Sequence, residues 1–146
     1  MQIDELLEKK GLSVKTIKAS ETIKTAIKVM NENHIGALIT VDDNGAVAGI
    51  LSERDLLLIC SDCAPDKNRI IKDHMTPKNK LFTLKMKDNL QTAMKIFTEK
   101  KIRHIPVLDN GKLTGIVSIG DVVKELLDVV EEENKHLKEY VMGQNI

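Results

Sequence analysis

Two copies of a serine–aspartate signature hold the residues of this chain best suited to chemistry. The copies occupy residues 49–55 (GILSERD) and 115–121 (GIVSIGD), and each reads glycine, two apolar residues, serine, two variable residues and aspartate. The serine is expected where a strand gives way to a helix, because unpaired N–H groups and the helix dipole there favour a phosphate. The aspartate three residues later can accept both hydroxyls of a ribose. The signature therefore predicts a binding site for a ribose and its phosphate.

The same spacing also has a purely structural interpretation. Ser-x-x-Asp before an apolar run is a capping box, which satisfies helix N–H groups without any ligand, and the two interpretations are compatible. The ligand hypothesis is supported by the glycine that begins both signatures. It is also supported by Arg54, Arg103 and His104, which can supply positive charge for a phosphate. Ser52 and Ser118 have no histidine within helical reach, and no phosphate loop with lysine appears, so we predict no catalytic residues and no enzyme.

The elements that must position these signatures are themselves duplicated. Residues 16–57 align on residues 83–123, and a one-residue insertion in a hairpin turn explains the change of offset. Each copy predicts a strand, an amphipathic helix, two strands joined by an Asn-Gly turn, and a second helix that starts at the signature serine. One copy is too small to bury its own core. We therefore expect two β-α-β-β-α units in an α/β (α+β) fold, packed about a pseudo-twofold axis with a cleft between them.

Composition narrows the function classes. The chain has 146 residues, and its 22 lysines and arginines balance 22 aspartates and glutamates, which argues against a nucleic-acid partner. Phe82, Phe97 and Tyr140 are the only aromatic residues, too few for a platform on which several bases stack. No apolar run approaches the ~20 residues that cross a membrane, and residues 1–5 lack the features of a signal peptide. A cytoplasmic location without a membrane partner is the expectation.

Taken together, these motifs resemble a known family. The duplicated unit, the paired signature and residues 101–107 (KIRHIPV) are similar to a tandem pair of CBS domains, a Bateman module of the stand-alone prokaryotic type. Residues 34–38 (HIGAL) form the first-repeat counterpart of that motif, and residues 74–77 (HMTP) are also typical of the family. The domains predicted on this basis are a repeat at 8–61, a linker with a helical turn at 62–75, a repeat at 76–130 and a helical tail at 131–146, preceded by a short N-terminal helix.

The resemblance implies a regulatory module that binds an adenosine nucleotide such as AMP, ADP, ATP or NAD(H), requires no cofactor, and acts as a homodimer on an unknown effector protein. The alternative is a ligand-free dimerisation or interaction module in which the signatures serve only as caps. In the family the two pockets are crossed between repeats. One site would join Ser52, Arg54 and Asp55 with Thr76, Leu81, Ile102, Arg103 and His104. The other would join Ser118 and Asp121 with Val14, Ile35, Gly36 and Ala37. Because Gly120 stands where the first signature has Arg54, we expect the Asp55 site to hold phosphate better.

Two further features favour structural interpretations. Cys60 and Cys63 form a Cys-x-x-Cys without a second ligand pair, and Cys60 aligns with Leu126, so we predict a buried apolar position rather than a metal or redox site. The histidines show no metal-ligand spacing. The charged residues 131–138 predict a solvated helix face. Apolar residues within and around it could still dock on a partner subunit: Val129, Val130, Leu137, Tyr140 and Val141.

Overall fold

The computed structural model describes residues 1–61 and 69–144. Over these residues the predicted mixed α/β (α+β) architecture is confirmed, with five α-helices and two sheets. The helices are α1 (Ile3–Lys10), α2 (Ile23–Asn33), α3 (Glu53–Ser61), α4 (Leu90–Lys100) and α5 (Ile119–Gln144). The strands are β1 (Thr16–Lys18), β2 (Ala37–Val41), β3 (Val47–Ser52), β4 (Thr76–Pro77), β5 (His104–Asp109) and β6 (Lys112–Ser118). Short 3-10 turns cover Ile71–Asp73 and Lys78–Lys80.

The duplication extends to the ends of the first helix in each repeat. Thr22 and Asn89 cap α2 and α4, and each accepts a hydrogen bond from the N–H three residues on, at 3.2 and 2.8 Å. His34 and Lys101 end the same helices with left-handed φ angles of 53° and 55°. Equivalent residues therefore start and stop both helices, although their side chains differ.

The strands form one four-stranded and one two-stranded sheet. In the first sheet β1 pairs parallel with β2, and β2, β3 and β4 are antiparallel neighbours. The second sheet is the β5–β6 hairpin, whose turn has both Asn110 (φ 50°) and Gly111 (φ 79°) in the left-handed region, as the Asn-Gly signal predicts. The predicted leading strand of the second repeat is shorter than expected, since only Leu84 pairs with Val107 in a parallel bridge.

The N-terminal helix α1 belongs to the core of the second repeat, although the first repeat follows it in sequence. Ile3, Leu6 and Leu7 are buried in one cluster with residues of α4, β5, β6 and α5. The backbone N–H of Ile3 also donates to the carbonyl of Asp88 at 2.8 Å. Sequence patterning gave no sign of this crossing, because it depends on contacts between distant segments.

A separate apolar cluster joins the two repeats. Ala37, Ile39, Val47 and Ile50 are buried on the first sheet. Residues of the second repeat and of two connecting segments pack against them: Val14, Leu81, Leu108, Leu113 and Ile116. The two small sheets thus bury one face of each other, which a single repeat could not do alone.

Some expectations about individual segments need correction. Cys60 is exposed, so its predicted burial is wrong; its neighbour Leu57 is 71% exposed on the same helix α3. The predicted helical turn before the second repeat is the 3-10 turn at Ile71–Asp73, with Ile71 fully buried. The predicted tail is continuous with α5. Cys63 and the linker residues 62–68 lie outside the described residues, and the predicted domain boundaries stay a prediction.

Within the part of the chain that the structure describes, no helix is long and apolar enough to span a membrane.

Candidate functional site

Both signature serines lie at helix N-termini, as predicted, and both capping boxes form. The Ser52 N–H and Oγ donate to Oδ2 of Asp55 at 2.9 and 3.1 Å, and the Asp55 N–H donates back to Ser52 Oγ at 3.4 Å. The Ser118 N–H donates to Asp121 Oδ2 at 2.8 Å, and the Asp121 N–H donates to Ser118 Oγ at 3.1 Å. The structural interpretation of the motif is therefore confirmed, and in each copy the cap engages Oδ2 of the carboxylate.

The signature glycines allow other segments to approach the signatures closely. A Cβ atom on Gly49 would overlap the backbone carbonyl oxygen of Thr76, so glycine is what lets β4 lie against β3. A Cβ atom on Gly115 would come within 2.9 Å of Leu7 Cδ2 on α1. Glycine thus places a different neighbour beside each signature: Thr76 beside the first, and α1 beside the second.

Lys10, at the end of α1, supplies a positive charge to the second signature. Its Nζ donates to Asp121 Oδ2 at 2.6 Å and to the carbonyl of Ile116 at 2.6 Å. Partial burial raises the pKa of Asp121, but hydrogen bonds from Lys10 and Ser118 outweigh this effect and lower that pKa. The second signature thus has a positively charged neighbour, although Gly120 stands where the first signature has Arg54.

The first signature reaches the second repeat through Arg54. The Nη1 group of Arg54 donates to the backbone carbonyl of Lys101 at 3.0 Å. Residues 102–104, which the resemblance assigns to the Asp55 site, follow Lys101 directly. The Arg54 guanidinium is thus anchored on the partner repeat, next to the predicted site residues.

His104 lies where charges from both repeats meet. It begins β5, opposite Ser118, and is half-buried. Burial lowers the pKa of His104, the nearby Lys10 ammonium lowers it further, and the carboxylates of Glu53 and Asp121 oppose these effects. The imidazole is therefore biased toward its neutral form. It therefore has an electrostatic link to the second signature, through Asp121, and to helix α3, through Glu53.

The predicted strand residues lie beside the signature of their own repeat. Ala37 pairs with Ser52 across the β2–β3 hairpin, and the carbonyl of Gly36 accepts from the Glu53 N–H at 2.9 Å. In the second repeat the carbonyl of Arg103 accepts from the Ile119 N–H at the same distance. The remaining predicted residues lie in apolar clusters: Ile35 in the first-repeat core, Ile102 in the second-repeat core, and Val14 and Leu81 between the repeats.

Sequence reasoning missed three residues around the signatures. Lys10 and Glu53 are described above, and His74 lines a surface depression together with Asp55, Leu58 and Ile59. The HMTP motif was a signal for His74, whereas Lys10 lies in a segment without any motif. In the described ranges, no group of histidine, cysteine, aspartate and glutamate residues is arranged to hold a metal ion.

Comparisons with known proteins agree with this arrangement. The family model of the CBS domain matches residues 9–62 and 71–128. A mitochondrial CBS domain-containing protein of Arabidopsis thaliana, CBSX3, is 37% identical over 126 residues, which are 84% of this chain and 61% of that protein. The chain therefore spans less than two thirds of that relative's length.

Solved structures of related proteins have the same architecture. A CBS-domain containing protein from Agrobacterium tumefaciens superposes with a TM-score of 0.81 at 33% identity, covering 86% of this chain and 98% of that one. The structure of CBSX2 in complex with AMP superposes with a TM-score of 0.67 at 29% identity, covering 80% and 89%.

Proposed function

This chain belongs to the CBS domain family, and from that premise we propose that it is a regulatory module that binds an adenosine nucleotide between its two repeats. The observation that carries the proposal is the repeated signature, in which a carboxylate is fixed on the first turn of a helix, with the Lys10 ammonium against it in the second copy. AMP is the first nucleotide to test, because a relative of the same fold has been solved in complex with it. ATP and NAD(H) are the other ligands that we propose for comparison.

In this proposal the aspartates hold the ribose. Hydrogen bonds within the caps engage Oδ2 of Asp55 and of Asp121, so the ribose hydroxyls would approach Oδ1. The caps also fix the rotamer of each carboxylate before the ligand arrives, which reduces the entropy lost on binding. The capping box and the ribose site are then two uses of one arrangement.

Phosphate would be held by the positively charged groups at the two helix N-termini. For the Asp55 site these are Arg54 and Arg103, aided by His104 and by the serine hydroxyl. For the Asp121 site we propose Lys10, whose ammonium group would turn from Oδ2 of Asp121 toward the phosphate. The charge difference that favoured the Asp55 site on sequence grounds is therefore smaller than expected, and both sites merit a direct measurement.

The adenine ring would lie on the apolar surfaces and strand backbone between the repeats. We propose the crossed assignment that the family resemblance implies. Thr76, Leu81 and Ile102 would serve the Asp55 site, and Val14, Ile35, Gly36 and Ala37 would serve the Asp121 site. Val14, Leu81 and Ala37 pack in one cluster between the repeats, so a ring inserted there would contact both repeats, whichever signature holds the ribose.

The test is calorimetric titration with AMP, ATP and NADH on the parent chain and on Asp55→Asn and Asp121→Asn. Asparagine retains an oxygen that can cap the helix but loses the charge, so both variants should still fold, with a loss of stability of about 1 kcal/mol. A charge-assisted hydrogen bond is worth about 1.5–3 kcal/mol, which predicts at least a tenfold weaker Kd at the altered site. Asp128→Asn, an exposed position on α5, is the matched control and should bind as the parent does.

A second candidate function is a ligand-free dimerisation module. It is supported by the capping hydrogen bonds, which form without any ligand. A ligand-free dimerisation module predicts no heat with any of the three nucleotides. If some heat is seen, this alternative predicts that Asp55→Ala and Asp121→Ala lower the unfolding temperature but titrate with nucleotide as the parent does. Either result would overturn the nucleotide proposal in favour of this alternative.

We further propose that the module works as a cytoplasmic homodimer that signals to an effector protein. Exposed leucines on α3 support a subunit contact, since Leu57 and Leu58 are 71% and 63% exposed. Ligand binding can shift the arrangement of such a dimer only through different affinities for its two states. Sedimentation with and without nucleotide checks this part of the proposal.

A further inference from the structure

About two thirds of α5, from Leu126 to Gly143, is a stretch of helix that the rest of the described chain does not cover. Every residue from Leu126 to Gly143 is exposed. Helices in proteins gain most of their stability from packing of an apolar face, which the exposed part of α5 does not have within the described chain. A partner for this segment is therefore needed to account for its helical structure.

The exposed apolar residues of α5 follow a heptad repeat. Their spacing alternates between four and three residues, and the five apolar members are between 41% and 63% exposed. The resulting seam consists of Val123, Leu127, Val130, Asn134, Leu137 and Val141. Apolar residues at this spacing over about three heptads are typical of a two-stranded coiled coil.

The seam is separate from the face of α5 that packs on the protein. Val122 and Glu125 are buried against the second repeat, and Glu125 accepts a hydrogen bond from Lys9 at 2.8 Å. At 100° per residue, the seam lies roughly 130° around the helix from these two residues. The helix can therefore pack on its own repeat and on a partner helix at the same time.

Two polar features of the tail specify the partner and its direction. Asn134 occupies a position inside the seam, where a single asparagine pairs with its copy and fixes register and a two-stranded state. Glu133 and Lys138 flank the seam five residues apart, so Glu133 of one copy meets Lys138 of the other in a parallel, in-register pair. In the fully overlapping antiparallel pair, Asn134 would face Val130, and the two Glu133 side chains would repel each other.

We infer that the α5 tails of two copies of this chain pair through this seam as a parallel, in-register coiled coil. This inference does not depend on the proposed nucleotide binding, because the seam contains none of the proposed site residues. It has a geometric consequence, because α5 also carries Asp121 in its first turn. Parallel pairing places the two Asp121 sites of a dimer at the same end of one coiled coil.

The experiment is a cysteine cross-link at the centre of the seam in the full chain. In a Cys60→Ser, Cys63→Ser background, Asn134→Cys is oxidised with glutathione disulfide at about 10 µM protein. We expect a disulfide-linked dimer as the main product, because equivalent seam positions meet in a parallel coiled coil. Lys135→Cys, one residue away and outside the seam, should give at least about tenfold less.

A second pair of variants tests the seam itself. Leu137→Glu, added to Asn134→Cys, should reduce the cross-link at least about tenfold, since it places like charges in the apolar seam. Met142→Glu adds the same charge at a position that is 70% exposed but outside the seam, and should leave the cross-link unchanged. Absence of the Asn134→Cys dimer overturns the inference, even if the repeats dimerise elsewhere. So does equal cross-linking of Lys135→Cys, or insensitivity to Leu137→Glu.

Discussion

Replacement of Gly49 by alanine should destabilise the protein more than any other glycine-to-alanine change in the signatures. The added Cβ would overlap the carbonyl oxygen of Thr76 and come within 3.1 Å of Met75 Sδ. The first of these is backbone of β4 and cannot rotate away, so β4 must shift from β3. Overpacking of this kind costs about 1–3 kcal/mol, and the backbone contact favours the upper half of that range.

Two glycines of the second signature serve as graded controls. A Cβ on Gly115 meets Leu7 Cδ2 at 2.9 Å, but this atom ends a flexible side chain, so we expect a cost of about 1 kcal/mol. A Cβ on Gly120 has only Ser118 Oγ nearby, at 3.6 Å, in the first turn of α5. Alanine favours the helix by up to about 1 kcal/mol over glycine, so Gly120→Ala should be neutral or stabilising.

Thermal unfolding followed by circular dichroism, without nucleotide, tests this series. For a chain of this size 1 kcal/mol corresponds to about 3 °C in Tm, so Gly49→Ala should unfold about 6–9 °C below the parent. Gly115→Ala should lie about 3 °C below the parent, and Gly120→Ala at or above it. A Tm for Gly49→Ala equal to that of the parent would refute the reasoning, because β4 would then not need glycine to approach β3.

Three further predictions follow from the hydrogen bonds and charges. The lowered pKa of Asp121 gives stability that is present above the ordinary carboxyl pKa and is lost as pH falls through the folded value. Asp121→Asn should therefore unfold more easily than the parent at pH 7, by about 1 kcal/mol, and the difference should shrink in urea titrations toward pH 3. Lys10→Met should raise the pKa of His104 in an NMR titration, and an unchanged value would place Lys10 too far away to act. Asn89→Ala should cost about 1 kcal/mol of unfolding free energy through loss of the α4 cap, whereas exposed Lys95→Ala should cost almost nothing.

The parts of the fold that sequence could predict are those with local causes. Apolar periodicity predicts the paired helices, and the Asn-Gly turn predicts a hairpin whose Asn110 and Gly111 have positive φ angles. The spacing of Ser52 and Asp55 predicts a cap because both residues lie on one helical turn. Because each of these local patterns occurs in both repeats, the sequence alone is enough to predict the duplicated α/β (α+β) unit.

The environment of the second signature could not be predicted in this way. Lys10 and Asp121 are 111 residues apart and meet only because α1 packs on the second repeat. No periodicity or turn residue encodes such a contact. Alignment of the repeats also gave a wrong prediction of burial for Cys60. Aligned residues occupy equivalent positions in the two repeats, but their neighbours can differ. Its counterpart Leu126 is itself 38% exposed.

The placement of α1 also sets an order of events during protein synthesis. Leu7 is made 115 residues before Val122, the last residue of the core cluster that it joins. At translation rates of about 5–20 residues per second, its apolar face waits roughly 6–23 s for its partner surface. The whole first repeat is synthesised in that interval, and the second repeat must then bind a helix made before either repeat was complete. In nascent chains that stall between the repeats, the apolar face of α1 would thus stay exposed to solvent. Chaperones and proteases that bind exposed apolar segments could recognise such incomplete chains by this helix.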